Sequence, residues 1–192
     1  MQKNEVFEGL AELETGQRIK IIRKKMRRTL QDIADTTGLS ASFLSQVERG
    51  VAGASITSIK AIAEALGVPL SRLLDPPPQP EAHTRSGTRV TFSANKTQQR
   101  FERLSAKFPG SVIEALKVFL PVGFHSDFVS HDGEELVYVL EGQVQYHLED
   151  GDYVLSPGDS IHIDSHRKHQ LKNIGQVEAV IISVGTLPLF DA

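Results

Sequence analysis

The chain of 192 residues contains no cysteine and no tryptophan, and it has no long apolar run. Without cysteine it cannot form a disulfide framework or a thiolate metal site, and this composition fits a reducing compartment. The longest apolar runs, Leu136–Leu140 and Ala179–Val184, are far too short to span a bilayer. The N-terminus has neither the charge nor the apolar run of a signal peptide. We therefore expect a soluble cytoplasmic protein with no membrane partner.

Charge and histidine are distributed unevenly along the chain. The formal net charge is −3, with 40% hydrophobic and 23% charged residues, which is ordinary for a globular protein. Residues 1–75 hold 11 basic and 9 acidic side chains, whereas residues 76–192 hold 10 and 15. Six of the seven histidines fall between His125 and His169. The length and this asymmetry together indicate two small domains of different character.

A proline-rich segment, Asp75–Pro80, separates the two halves. Proline fixes φ and lacks an N–H group, so this segment is predicted to be neither helix nor central strand. Such a run forms a semi-rigid extended spacer. The predicted limits are an N-terminal tail over residues 1–13, a helical domain over 14–75, a linker over 76–87 and a β domain over 88–192.

The N-terminal half is predicted to form five short helices, because apolar residues recur there at helical spacing. The last of these helices would use Leu70, Leu73 and Leu74. Thr29 with Asp32 three residues later predicts a capping box, and Gly38 can adopt the left-handed conformation that follows a helix. The segment Thr29–Gly50 therefore has the spacing of a helix-turn-helix.

The second helix of this motif has one face of small or hydrogen-bonding side chains, at Ala41, Ser42, Ser45, Gln46 and Arg49. A major groove favours such a face, because bulky groups would keep the helix away from the base edges. Gln46 can pair with adenine through two hydrogen bonds.

A basic run precedes the motif, with seven positive charges and no acidic residue over Arg18–Arg28. Such a run is often only a solvated helix face. Beside a helix-turn-helix it favours phosphate contacts, which supply much of the affinity for DNA.

The letters TLQDIADTTGLSASFLSQVERG strongly resemble the helix-turn-helix of the lambda-repressor/Cro and xenobiotic-response-element type. The resemblance covers about residues 16–74. The resemblance implies that Gln31 and Arg49 contact DNA phosphates. It implies that base edges are contacted by Ala41, Ser42, Ser45 and Gln46. From the basic run we add Arg18 and Arg28 to the predicted DNA contacts. Such domains normally bind palindromic half-sites as two-fold dimers. The resemblance therefore implies a homodimer on a double-stranded DNA operator.

The C-terminal half shows short β-type runs separated by turn signals such as Pro109-Gly110 and Pro157-Gly158. Many short strands at regular spacing predict a sandwich or a barrel. Among them, His131, Glu135 and His169 form a 2-His-1-carboxylate set, which suits a non-haem divalent ion with open positions. The alternative is a set of loop histidines beside a solvated glutamate.

The spacing of these residues resembles the two signatures of the cupin fold, over about residues 88–186. The first signature matches Gly123, His131, Glu135 and Gly142, and the second matches Gly158, His169 and Asn173. The family's first histidine falls at Val129, and its second-signature proline and glycine fall at Asp164 and His166. The resemblance therefore implies three metal ligands, His131, Glu135 and His169, for one divalent ion (Zn, Fe, Ni or Mn).

Three further residues are candidates for a ligand pocket. His125 lies six residues before His131, His162 lies in an apolar strand, and Tyr138 lies in the strand that follows Glu135. His162 is as consistent with a hydrogen-bonded wall residue, and aromatic residues in strands, such as Tyr138, more often belong to the core.

These features together predict a multidomain α + β protein, with a five-helix lambda-repressor-like domain followed by a single cupin barrel (a double-stranded β-helix or jelly roll). The chain resembles the cupin-containing branch of the xenobiotic-response-element family of bacterial transcription regulators. The resemblance implies a sequence-specific DNA-binding regulator, not an enzyme, whose cupin domain senses a small-molecule effector, often for amino-acid or polyamine genes.

Two alternatives remain open. The same layout and triad resemble 2-hydroxypropylphosphonate epoxidase, a non-haem iron enzyme, although the small and polar face of the second helix favours DNA binding. The β domain could also be a metal-free module that only dimerises.

Overall fold

The computed structural model describes residues 13–74, 81–93, 99–186 and 189. The proline-rich segment 75–80 and all but the last residue of the predicted N-terminal tail lie outside these residues. Within the described ranges, no helix is both long and apolar enough to cross a bilayer.

The N-terminal domain contains four α-helices among the described residues: α1 (Thr15–Lys25), α2 (Leu30–Thr37), α3 (Ala41–Glu48) and α4 (Ile56–Ala65). The predicted fifth helix is wrong, because Leu70–Arg72 forms only a single 3-10 turn. Pro69 immediately precedes this turn, and Asp75 is disfavoured in helical conformation because Pro76 follows it. Too few residues remain between these points for an α-helix, although Leu73 is fully buried.

The predicted helix boundaries within the helix-turn-helix are confirmed. The Thr29 hydroxyl accepts a hydrogen bond from the backbone N–H of Asp32 at 3.0 Å, and the Asp32 carboxylate accepts one from the N–H of Thr29 at 2.7 Å. Gly38 ends α2 with φ 71°, a conformation that favours glycine. Ser40 caps α3 by accepting from the N–H of Phe43 at 3.1 Å. These local bonds fix where α2 begins and ends and where α3 begins.

The C-terminal domain is a sandwich of two antiparallel sheets. Its described strands are β1 (Thr91–Ser93), β2 (Arg100–Arg103), β3 (Glu114–Leu120), β4 (Glu134–Glu141), β5 (Val144–Leu148), β6 (Gly151–Leu155), β7 (Ser160–Asp164), β8 (His169–Asn173) and β9 (Ala179–Gly185). Six strands pair in the order β1-β2-β3-β9-β4-β7, and three pair in the order β6-β5-β8. The predicted closed barrel is corrected to this sandwich, because the ladders of the described strands stay within separate sheets.

Strand β2 was not predicted from the sequence. The side chains of Phe101 and Arg103 point inward and are buried, as is Gln99 just before the strand. Arg100 and Glu102 point outward. Only Phe101 is apolar, so no alternation of apolar and polar residues marks this strand. Of the two buried polar side chains, Arg103 pairs with the buried carboxylate of Glu114 on β3 at 3.1 Å, and Gln99 lines a cavity.

Candidate functional site

The three predicted metal ligands converge between the two sheets. Glu135 lies on β4, His169 opens β8, and His131 lies in the loop before β4. One ligand atom from each residue lies within 4.8 Å of the others. Two backbone hydrogen bonds of 2.9 Å join Val129 to His169 and hold the loop against β8. The fold therefore brings together residues that are far apart in sequence.

Hydrogen bonds orient the carboxylate of this group. The hydroxyl of Tyr146 donates to Oε2 of Glu135 at 2.9 Å, and the hydroxyl of Ser183 donates to Oε1 at 2.8 Å. Burial, with the negative charge of Glu135, raises the pKa of Tyr146 well above its ordinary value. Tyr146 therefore remains a proton donor across the physiological range.

His169 is held in the form that binds metals. Its Nδ1 lies 2.8 Å from the carbonyl oxygen of Arg167, which can only accept, so Nδ1 carries the proton. Its Nε2 lies 3.8 Å from Oε2 of Glu135 and is free of that proton. Burial lowers the pKa of His169 from its ordinary value. A neutral imidazole with an unprotonated Nε2 is a metal ligand.

His131 shows the same arrangement and leaves a buried nitrogen unsatisfied. Its Nδ1 lies 3.0 Å from the carbonyl oxygen of Asp132. Its Nε2 is buried and has no hydrogen-bond partner. Buried polar atoms without partners are rare in native proteins, and a bound ion would satisfy this one. The residues present therefore fit a divalent metal ion.

A cavity of about 80 Å³ adjoins these ligands. Apolar side chains such as Phe101, Leu116 and Ile181 form much of its wall. Polar groups that the sequence analysis did not select also line it: Gln99, Glu114 and Ser126. Glu114 lies on the inward face of β3, and Gln99 lies on the same face just before β2. The sequence identifies these two residues as cavity residues only if the pairing register of β2 and β3 is known.

The three predicted pocket residues do not line this cavity. His125 is exposed, Tyr138 is 40% exposed, and the side chain of His162 is 58% exposed and lies 2.9 Å from Glu134. Strand alternation explains the correction, because Val137 and Val139 point inward on β4 and Tyr138 therefore points outward. In β7 the same alternation buries Ile163 and exposes its neighbour His162.

The predicted DNA-reading face of α3 is accessible. Phe43, Leu44 and Val47 are buried against the domain. The opposite face is partly or fully exposed and consists of Ala41, Ser42, Ser45, Gln46 and, at the end of the helix, Arg49. Gln31 is exposed at the start of α2, where its side-chain amide donates to Asp35 at 2.7 Å.

The basic run divides into exposed and internal groups. Arg28 and Arg49 are exposed, as their predicted phosphate contacts require. Arg18 is only 5% exposed, and its Nε donates to the carbonyl of Leu13 at 2.8 Å. The expected DNA contact by Arg18 is therefore corrected, because this residue lies on the buried face of α1 beside Ile19.

Arg23 also has a structural partner. Its guanidinium donates to both carboxylate oxygens of Glu48, at 2.6 and 2.9 Å, and Glu48 is buried. This pair joins the basic helix α1 to the end of α3, so part of the charge run stabilises the domain itself.

Comparisons with known families match each domain separately. A helix-turn-helix family model matches residues 19–73, and a cupin domain model matches residues 116–185. The solved structure of an HTH_3 family transcriptional regulator from Vibrio cholerae has a TM-score of 0.53 at 22% identity, over 90% of this chain and 94% of that chain. This likeness supports the fold.

Curated relatives match over nearly the full length. The HTH-type transcriptional regulator PuuR of Escherichia coli K12 is 24% identical over 189 residues, covering 95% of this chain and 98% of that protein. The HTH-type transcriptional regulator SutR of the same organism is 23% identical over 160 residues, covering 82% and 86%. The chain therefore carries a helix-turn-helix domain followed by a cupin domain, and over most of its length it is similar to HTH-type transcriptional regulators.

Proposed function

We propose that this DNA-binding transcriptional regulator uses its cupin domain to sense a small-molecule effector, with one divalent metal ion held by His131, Glu135 and His169. The observation that carries the proposal is the convergence of these three ligand atoms beside a cavity, in a chain whose helix α3 also presents an accessible polar face. The domain limits and a cytoplasmic location remain predictions.

In this DNA-binding function, the residues on the accessible face of α3 contact bases, and the residues around it contact phosphates. Ala41, Ser42, Ser45 and Gln46 meet base edges in the major groove, and Gln46 supplies the directional hydrogen bonds. Gln31, Arg28 and Arg49 meet phosphates and set the register of the domain on DNA. A homodimer would place two such helices on the half-sites of a palindromic operator.

The metal would provide positive charge inside the sandwich. Three protein ligands leave open coordination positions for an oxygen ligand of the effector. The protein's own groups orient that centre, because Tyr146 and Ser183 fix both oxygens of Glu135. Zn, Fe, Ni and Mn are all compatible with this mixed nitrogen and oxygen ligand set.

Regulation would follow from a shift between two arrangements of the reader domains. An effector can cause this shift only if its affinity differs between the two arrangements. The proline-rich linker over residues 76–80 is one route for coupling the domains, and it lies outside the described residues.

A mobility-shift assay on the DNA upstream of the protein's own gene tests this function. We expect tight, salt-dependent binding and, from a metabolite panel at fixed metal concentration, one class that changes affinity by about 5- to 150-fold. His169→Ala should bind DNA but lose this response, whereas His147→Ala, outside the triad, should keep both. A panel that never alters the DNA affinity of the wild type would contradict the sensor role.

The alternative is a non-haem iron epoxidase with the same ligand set. The three-ligand group with open positions is the observation that favours it. Anaerobic purification followed by metal analysis discriminates between the two functions. Stoichiometric iron that is lost in His131→Ala, in a protein without DNA binding, would support the enzyme over the regulator. A chain that binds neither metal nor effector would instead indicate a cupin domain that only dimerises.

A further inference from the structure

The wall of the cupin cavity includes residues of the DNA-binding domain. Ser55, Ile56 and Thr57, at the start of α4, line the same cavity as His131 and His169. Ile56 is only 7% exposed, although it is the first residue of its helix. The cavity therefore lies between the two domains and is not enclosed by the cupin sheets alone.

A second, adjoining cavity shows how far this contact extends. It is lined by Thr57, Ser58, Lys60 and Ala61 from α4 and by the loop residues Val129, Ser130 and His131. Thr57, Val129 and His131 line both cavities, so the loop that carries the metal ligand His131 lies beside the start of α4. A movement of this loop would therefore change the cavity wall that faces α4.

The main cavity also holds a polar side chain that indicates a ligand independently of α4. Gln99 is 4% exposed, and its Oε1 has no hydrogen-bond partner. An unsatisfied buried acceptor destabilises the protein, because it has lost its hydrogen bonds to water. A ligand that donates a hydrogen bond to Gln99 would remove this cost.

The size of the cavity limits what it can hold in this arrangement. Its volume is about 80 Å³, whereas pockets for drug-sized ligands have volumes of about 300–1,000 Å³. A ligand of that size does not fit in the cavity while Ser55–Thr57 form part of its wall.

We propose that Ser55–Thr57 form the closing wall of a ligand site shared by both domains, and that an occupant larger than the cavity displaces them. The occupant is a small polar molecule that can coordinate a divalent ion and donate a hydrogen bond to Gln99. Occupancy then changes the position of the DNA-binding domain by direct contact, without requiring a stiff linker. This inference rests on the proposed sensing function of the cupin domain.

A tryptophan wedge tests the contact in the full-length protein. Val129→Trp places an indole ring between the loop and α4, and Val122→Trp, at a turn where the side chain is 60% exposed, is the matched control. The chain has no tryptophan, so the emission spectrum of each variant reports only the new side chain. The N–H groups of Ser58 and Ile59 donate to the side chain and the carbonyl of Ser55, so hydrogen exchange of these two amides reports whether the start of α4 has changed.

We expect Val129→Trp to raise this exchange about tenfold and to change DNA affinity by a similar factor, which is within the usual range of coupling between two sites. Val122→Trp should keep wild-type exchange and DNA affinity. If Val129→Trp does not fold, Thr57→Trp introduces the same bulk from the α4 side. Wild-type exchange in a folded wedge variant would overturn the proposal. Increased exchange with unchanged DNA affinity would support the shared site and contradict the regulatory function instead.

Discussion

Glu135 is held in a fixed orientation before any ligand binds. Hydroxyl groups from two different sheets donate to its two oxygens, Tyr146 from β5 and Ser183 from β9. Groups that orient a metal ligand in this way contribute to affinity even though they do not touch the metal.

Replacing Tyr146 with phenylalanine removes one of these donors and keeps the ring. We expect Tyr146→Phe to weaken Zn²⁺ binding by about 10- to 100-fold. Competition with a chromophoric chelator measures this affinity, and Tyr153→Phe is the control because Tyr153 is 40% exposed and does not line the cavity. Equal affinities in the two variants would show that Tyr146 does not position Glu135.

The buried pair of Arg23 and Glu48 has a different role at the same scale. Glu48 is 6% exposed and accepts two hydrogen bonds from Arg23. The sequence predicted Arg23 only as part of a basic run, because its partner lies 25 residues away and nothing local marks the pairing. A sequence pattern shows that a side chain is charged, but it does not show whether that side chain forms a buried ion pair.

Removing Glu48 leaves the guanidinium of Arg23 without its partner in a largely buried position. We expect Glu48→Ala to lower the free energy of unfolding by about 3–5 kcal/mol, as measured by urea denaturation. Glu64→Ala breaks the pair of Lys60 with the solvent-exposed Glu64 and should cost less than about 1 kcal/mol. Similar losses in both variants would contradict a structural role for the buried pair.

At the scale of elements, features that depend on neighbouring residues could be predicted from the sequence, whereas features that depend on distant residues could not. The capping box at Thr29 and the left-handed Gly38 were predicted because their partners lie within four residues. Strand β2 was missed because its inward side chains include Gln99 and Arg103, which find their place only against β3 and the cavity. The ligand set was found because its spacing resembles the cupin signatures, whereas the polar cavity wall has no such pattern.

Helices α1 and α3 approach so closely that only glycine fits between them. A Cβ atom added at Gly16 would lie 2.1 Å from the carbonyl oxygen of Val47. We expect Gly16→Ala to destabilise the domain by about 1–3 kcal/mol through this clash, seen as a lower urea midpoint. Gln17→Ala, exposed on the same helix, should change stability by less than about 0.5 kcal/mol. Since alanine favours a helix more than glycine does, an unchanged or raised urea midpoint in Gly16→Ala would contradict the clash.

Helix α3 is predicted to read bases through Gln46. Gln46→Ala should weaken binding to the operator by about 1–3 kcal/mol and relax the preference at one base pair, while nonspecific DNA binding remains unchanged. Titrations on operator and scrambled DNA measure both quantities, and Gln145→Ala in β5 is the control. Loss of affinity for both DNAs equally would show that Gln46 contacts the backbone and not a base.

At the scale of the whole molecule, the order and type of the two domains were predictable, but their contact was not. A change from helical to alternating periodicity at the proline-rich segment separates the domains in the sequence. The contact between the start of α4 and the loop around Val129 joins residues more than 70 positions apart. Such contacts depend on surface shape, which periodicity and composition do not encode.

The charge distribution determines how this acidic protein can bind DNA. Its formal net charge is −3, yet the exposed cations Arg28 and Arg49 belong to the helical domain. Phosphate binding releases counterions, so the affinity depends on the number of local contacts and not on the total charge. Each phosphate contact contributes about 0.9 to the slope of log affinity against log salt.

Arg28→Ala combined with Arg49→Ala should therefore reduce this slope by about 2 and weaken binding uniformly across DNA sequences. The control is Arg85→Ala with Lys168→Ala, which removes two exposed positive charges outside the helical domain. Titrations at several salt concentrations measure the slope for both double variants. If both slopes fall equally, DNA attraction comes from bulk charge; if only the first falls, the two arginines contact phosphates as predicted.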